Sequence, residues 1–216
     1  MAPRPKACLV DVYETLLHYD FEGHTRKLSA IAGVDVRDWE RARIALMPEF
    51  DSGRLPMHEA IARILAECGV TPRADLVEEL AAADVEYLAG GCGLYDDAVP
   101  FLQDVREMGV KIALVSNCGQ DTRPLLDRLD VFPLADEALL SCEVGHAKPS
   151  PEIYQRALDA LGVGARDAVF VDDQPSYCEG ALALGIRPIQ IARGGGQPKD
   201  PRYDQVTTLS AIPPLL

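Results

Sequence analysis

The sequence contains no run of 18 apolar residues, so no segment reads as a membrane-spanning helix. Its start, MAPRPKACLVDVYETLL, has too short an apolar stretch for a secretory signal, and a cytoplasmic protein is expected. The six cysteines, Cys8, Cys68, Cys92, Cys118, Cys142 and Cys178, include no C-x-x-C pair. That absence argues against a zinc site or a disulfide framework and for buried free thiols. Basic residues are few, with 21 Lys and Arg against 34 Asp and Glu and a formal charge of -13. Duplex nucleic acid is bound largely by cations that neutralise phosphates, so no nucleic-acid partner is expected and the acidity reads as solubility. No internal repeat is detectable. The glycines after Arg193 lack the Lys-Ser/Thr and helix of a phosphate-binding loop, and residues 194–204 read as loop.

What is present is enough apolar material, 48% of 216 residues, for one well-packed domain or a core with a small insert. Three short apolar runs end on polar residues: ACLVD (7–11), KIALVSN (111–117) and AVFVDD (168–173). ALLSCEVG (138–145) and RPIQIA (187–192) supply further strands. Segments 96–109, 120–130, 150–162 and 175–185 carry apolar residues at helical spacing, several of them ended by glycine. Alternating strands and helices imply right-handed crossovers and a mostly parallel sheet, a Rossmann-like three-layer α/β sandwich. Ligands of such sheets sit outside the carboxyl ends of the strands. Asp11, Ser116, Asn117, Asp172 and Asp173 are therefore expected to converge on one crevice.

Residues 18–93 break the alternation with consecutive helical patterns at 36–47, 56–69 and 73–88. The expected organisation is a core of residues 1–17 and 94–216 with a helical-bundle cap over 18–93. HYDFEG (18–23) leaves the core, and GGCG (90–93) returns to it as a hinge or a plain connector. Trp39, Arg41, Arg43, Arg54 and His58 are cap residues that could meet a substrate, and His18 and Tyr19 could line the entrance. Packing inside the cap and solvated helix faces are the structural alternatives for all of them.

At the end of the first strand DVYETLL resembles the first signature of the haloacid dehalogenase superfamily, D-x-D/Y-x-T-L. Three more signatures follow in order: LVSN (114–117), the Lys-Pro of HAKPSPEIY (146–154) and the acidic pair of VFVDDQP (169–175). Read by chemistry, Asp11 is a carboxylate that can act as nucleophile and divide one displacement into two easier ones. Thr15 and Ser116 offer hydroxyl donors and Lys148 a fixed charge, suited to holding Asp11 or a transferring phosphoryl group. Adjacent Asp172 and Asp173 call for a compensating cation. The structural alternatives are a helix-capping Asp11 or Ser116, a surface Lys148 and an acidic helix start at 172–173.

The resemblance implies an aspartyl intermediate on Asp11, with Ser116, Asn117 and Lys148 as further catalytic positions. It also implies Mg2+ held by Asp11, the backbone carbonyl of Tyr13 and Asp172, with Asp173 acting through water. One position departs from the phosphatase pattern. Tyr13 stands where most such phosphatases carry a second Asp, and a neutral phenol is a poor base. Tyrosine there resembles the 2-haloacid dehalogenases, whose halide leaves without a proton, but Asp172, Asp173, Gln174 and Tyr177 do not match their S-S-N-x-x-D stretch. Two unpaired acids in a metal-free site that binds a carboxylate are electrostatically unfavourable, so the acidic pair outweighs Tyr13. The expectation is a magnesium-dependent phosphatase acting on a small phosphorylated metabolite, such as an acyl or anomeric phosphate. The alternatives are a dehalogenase and a catalytically idle binding protein. Oligomeric state is not legible.

Overall fold

The computed structural model describes residues 4–195 and 199–216. The chain opens with β1 (Ala7–Val10), whose four residues are all fully buried. A strand covered on both faces reads as a continuous apolar run, as ACLV does. The chain then leaves through β2 (Leu17–Tyr19) into four helices, α1 (Phe21–Ala32), α2 (Val36–Asp51), α3 (Met57–Glu67) and α4 (Ala74–Gly91), and returns through β3 (Cys92–Leu94). From there strands and helices alternate: α5 (Ala98–Glu107), β4 (Lys111–Ser116), α6 (Thr122–Arg128), β5 (Glu137–Leu140) and the short α7 (Ser141–Val144). α8 (Pro151–Leu161), β6 (Ala168–Asp172), α9 (Pro175–Ala183), β7 (Arg187–Ile191) and β8 (Asp204–Val206) complete the order.

Six strands form one sheet in the order β5-β4-β1-β6-β7-β8, with every neighbouring pair parallel. Strand order reverses about β1, which places the end of β1 at the point where an open α/β sheet forms its binding crevice. Alternate side chains of each strand enter opposite layers. Cys8, Val10, Ile112, Leu114, Val169 and Val171 pack with Phe101, Leu102 and Val105 of α5. Leu9, Ala113, Val115 and Phe170 pack with Ile153, Tyr154 and Ala157 of α8 and Ala181 of α9. The α/β sandwich is thus as expected, with two local corrections. Residues 138–145 are not all strand, because the chain turns into α7 after Leu140. Of the loop expected at 194–204, residues 196–198 lie outside the described residues, and the stretch from 199 gives way at Asp204 to a sixth strand that three residues, DQV, were too short and polar to announce.

The insert has its own core, in which Leu28, Trp39, Ile61, Ile64, Leu65, Val77 and Leu80 meet. Asp20 and Asp35 start α1 and α2 by accepting from the backbone N–H groups of Gly23 (2.8 Å) and Arg37 (2.9 Å). Helix α1 lies outside the helical segments anticipated from apolar spacing. In place of an open connector, β2 and β3 pair antiparallel, His18 opposite Gly93. All six cysteines are free, but Cys68 and Cys142 are half-buried rather than buried. No helix among the described residues is long and apolar enough to cross a membrane.

Candidate active site

The backbone N–H of Asp11 donates to the Val171 carbonyl at 2.9 Å, continuing the β1–β6 register one residue beyond the strand. The loop that follows folds on itself: Leu16 and Leu17 donate to the Val12 carbonyl, and Glu14 donates to that of Leu17. Glu14 has a φ of 59°, a left-handed conformation that costs about 1–2 kcal/mol for a residue with a Cβ. Its carboxylate helps offset this by accepting from Tyr19 N at 2.7 Å and from the Tyr95 hydroxyl at 3.1 Å. Arg193 braces the same loop from outside. Its guanidinium donates to the Thr15 carbonyl (2.7 Å), pairs with Asp97 (2.8 Å) and lies 3.6 Å from the centre of the Tyr95 ring.

Lys148, 3% exposed, donates to one oxygen of Asp11 and, at 2.7 Å, to Asp172 Oδ2. Burial alone would lower its pKa, but the two carboxylates outweigh that and push it up, so the ammonium stays charged. Asn117 grips the Lys148 backbone at both ends, accepting from its N–H (2.6 Å) and donating to its carbonyl (2.8 Å). Asp172 is fully buried, and its second oxygen accepts from Gln174 N at 2.7 Å. Burial drives the Asp172 carboxyl well above the usual range, with Lys148 opposing. Burial, and then the Asp11 charge, raises Asp173 to about 6.

Oxygens of Asp11, Asp172 and Asp173 lie within 4.8 Å of one another. Three carboxylates thus face one ammonium, and Asp11 Oδ2 is buried without a partner among the described residues. The same holds for the hydroxyls of Thr15 and Ser116, both fully buried. An unsatisfied buried polar group costs about 1–3 kcal/mol. Such a cluster at a strand-end crevice is what an oxygen-liganded cation and an anionic substrate would complete. Tyr13 turns its hydroxyl away to Thr122 Oγ1 at 2.9 Å, and burial pushes the phenol further above its ordinary value.

Above the crevice is a cavity of about 310 Å³. Asp11, Tyr13, Asn117, Lys148 and Asp173 line its core side, whereas Thr15, Ser116 and Asp172 are not part of its wall. Tyr19, Trp39, Met47, Phe50, Met57 and Ile61 make its insert side largely apolar. Of the seven residues singled out around the insert, Tyr19, Trp39 and Arg43 reach the cavity. The other four are exposed: Arg41 pairs with Asp38, Arg54 reaches the Pro48 carbonyl, His58 meets Glu78, and His18 stands edge-on to Tyr95. Sequence reasoning passed over Arg193, Asp51 and the buried His24–Asp84 pair (2.7 Å), the last three of these residues lining the cavity. None carries a motif, and only the fold brings them near Asp11.

The family model for haloacid dehalogenase-like hydrolases matches residues 5–185. The chain is 30% identical to a glyceraldehyde 3-phosphate phosphatase of Methanopyrus kandleri, over 92% of this chain and 89% of the relative. It is 28% identical to (S)-2-haloacid dehalogenase 4A of Burkholderia cepacia, over 98% and 94% of the two chains. The fold superposes on 2-haloacid dehalogenase from Pseudomonas syringae pv. Tomato DC3000 with a TM-score of 0.75 at 21% identity, covering 98% and 97% of the chains. Relatives named for either chemistry are hydrolases, and the chain belongs to the haloacid dehalogenase-like hydrolase family.

Proposed function

We propose that this hydrolase is a magnesium-dependent phosphatase that acts on a small phosphorylated metabolite through an aspartyl-phosphate on Asp11. The observation that carries the reading is the cluster of Asp11, Asp172 and Asp173 around a single ammonium, with an orphaned Asp11 oxygen. A hard dication suits this donor set, because magnesium takes carboxylate and carbonyl oxygens and dehydrates reluctantly. Asp11, Asp172 and the Tyr13 carbonyl, which accepts no hydrogen bond from the described residues, would hold Mg2+, with Asp173 acting through water. Bound there, the ion would neutralise charge on the phosphoryl group.

In this reading the Asp11 carboxylate attacks phosphorus, and a water later hydrolyses the acyl phosphate. Lys148 keeps the Asp11 and Asp172 carboxylates apart yet fixed, and Asn117 holds the Lys148 backbone. The unpartnered hydroxyls of Thr15 and Ser116, behind the cavity wall, are donors for the Asp11 carboxylate or for a phosphoryl oxygen that reaches them, where pre-aimed donors stabilise developing charge. Residues 18–93 act as a cap that excludes bulk water. Six free thiols support a cytoplasmic setting.

A second reading, a 2-haloacid dehalogenase, draws on Tyr13, whose hydroxyl is engaged by Thr122 and whose position then needs no proton carrier. Against it, a haloacid carboxylate would enter a crevice already holding excess negative charge. A panel of phosphorylated metabolites with and without Mg2+, with 2-chloropropionate alongside, separates the two. Expected is Mg2+-dependent phosphate release that Asp11→Asn lowers by about 10⁴-fold or more. Magnesium-independent chloride release with no phosphate release would refute the phosphatase reading.

A further inference from the structure

Helix α2 ends against the crevice through two close approaches. A Cβ on Gly119, in the loop after Ser116 and Asn117, would lie 2.7 Å from the Phe50 ring, so Phe50 rests directly on that backbone. Gly53, at a φ of 69°, stands so near the Cys142 carbonyl that a Cβ there would come within 2.1 Å. Between these two anchors sits Asp51, 9% exposed. It lines the same cavity as Asp11 and Lys148, and its carboxyl makes no hydrogen bond or ion pair with any described residue. A buried carboxyl without a partner is costly to keep, and its place in the wall gives it something to meet.

The groups that act on Asp51 are Arg43 on its own helix and Lys148 of the core, which is itself bonded to Asp11. Cys118 and Tyr177, from the strand-end loop and from α9, feel its charge in turn. Burial lifts the Asp51 carboxyl to about 6, so that both its forms are accessible near neutrality. The other unpaired carboxyl of the wall, Asp121, has Asp84 of the insert as its strongest charged neighbour and not Lys148.

We propose that Asp51 is a catalytic residue of this hydrolase and carries the proton that Tyr13, tied to Thr122, does not. The proposal rests on the phosphatase reading above. In the first half-reaction Asp11 forms the new bond to phosphorus, the bond to the leaving oxygen breaks, and the Asp51 carboxylic acid gives that oxygen its proton. An alcohol departs and Asp51 is left as carboxylate. In the second, water attacks the same phosphorus as Asp51 takes its proton. The acyl phosphate bond breaks, releasing inorganic phosphate and restoring the Asp11 carboxylate and the Asp51 acid.

The test compares wild type, Asp51→Asn and Asp51→Glu with Mg2+ present on two substrates, 4-nitrophenyl phosphate and an alkyl phosphate. Nitrophenolate leaves without a proton, so its initial burst should survive Asp51→Asn within a few-fold. Alkyl phosphate turnover should fall about 10²- to 10⁴-fold, the range for a lost general acid or base. The Asn variant should also accumulate phosphorylated Asp11 from 4-nitrophenyl phosphate, detectable by intact mass, and Asp51→Glu should restore part of the alkyl activity. Equal loss of the 4-nitrophenyl burst and of alkyl phosphate turnover, or loss of neither, would overturn the role of Asp51 while leaving the phosphatase reading intact. A wild-type protein that releases phosphate from neither would overturn both.

Discussion

The two walls of the cavity are built on different principles. On the core side the charged groups are interlocked: Lys148 bridges Asp11 and Asp172, Gln174 holds Asp172, and Asn117 holds the Lys148 backbone. On the insert side the wall is largely aromatic and aliphatic, and apart from the His24–Asp84 pair several of its polar atoms stand alone. The Asp51 carboxyl makes no hydrogen bond or ion pair with the described residues, and Trp39 Nε1 and Arg43 Nε are buried without hydrogen-bond partners among them. A network in which every member fixes another holds the Asp11 carboxylate in one place. Polar groups left single in an apolar wall suit contact with something that arrives and leaves.

The largest test of this contrast is Lys148→Met. Removing the shared cation leaves Asp11 and Asp172 buried as two like charges, and breaking a buried pair in this way costs about 3–5 kcal/mol. Urea unfolding without divalent metal measures it. A loss under about 1 kcal/mol would mean that Lys148 does not anchor the core network.

Asp51→Asn is expected to have the opposite sign. The folded pKa of Asp51 is raised from 3.8 to about 6, so its favourable contribution is present below the unfolded value and is lost as pH rises through about 6. The two proteins should melt alike near pH 4, and near pH 7.5 the Asn variant should be the more stable by up to about 3 kcal/mol. Asp173 titrates in the same range but is common to both proteins, so it cancels from the difference. A pH-independent difference would show that Asp51 is not desolvated. The smallest effect is expected at Arg41, whose pair with Asp38 is exposed. Arg41→Ala should change stability by no more than about 0.5 kcal/mol and leave turnover unaltered.

The core was legible because its chemistry coincides with its strands. Asp11, Ser116 and Asp172 are each a polar residue at the end of a buried apolar run, and one pattern reveals both the strand and the group it presents. Helix α1 escaped notice for the converse reason. Its buried face is made of His24, Thr25, Leu28, Ser29 and Ala32, so polar side chains occupy positions that an apolar period would mark. Strand β8 escaped because three residues hold too little pattern, although the sheet edge beside β7 gives them a partner. Arg193 and Asp51 are ordinary types in a loop and at a helix end. Their significance comes from Thr15, 178 residues from Arg193 in sequence, and from a crevice on the far side of an insert.

The sequence by itself determined the parallel sheet, the place of Asp11 at the end of its first strand and the acidic pair at the end of β6, because strand polarity and local residue chemistry are properties of short segments. The tertiary structure decided which residues of the insert face Asp11, that Tyr13 spends its hydroxyl on Thr122, and that Asp51 stands alone in the cavity wall. The first and last depend on how the insert docks on the core, here through Phe50 on Gly119 and Gly53 on Cys142, and the second on two core segments 109 residues apart. Contacts between segments distant in the chain leave no periodic trace in either one.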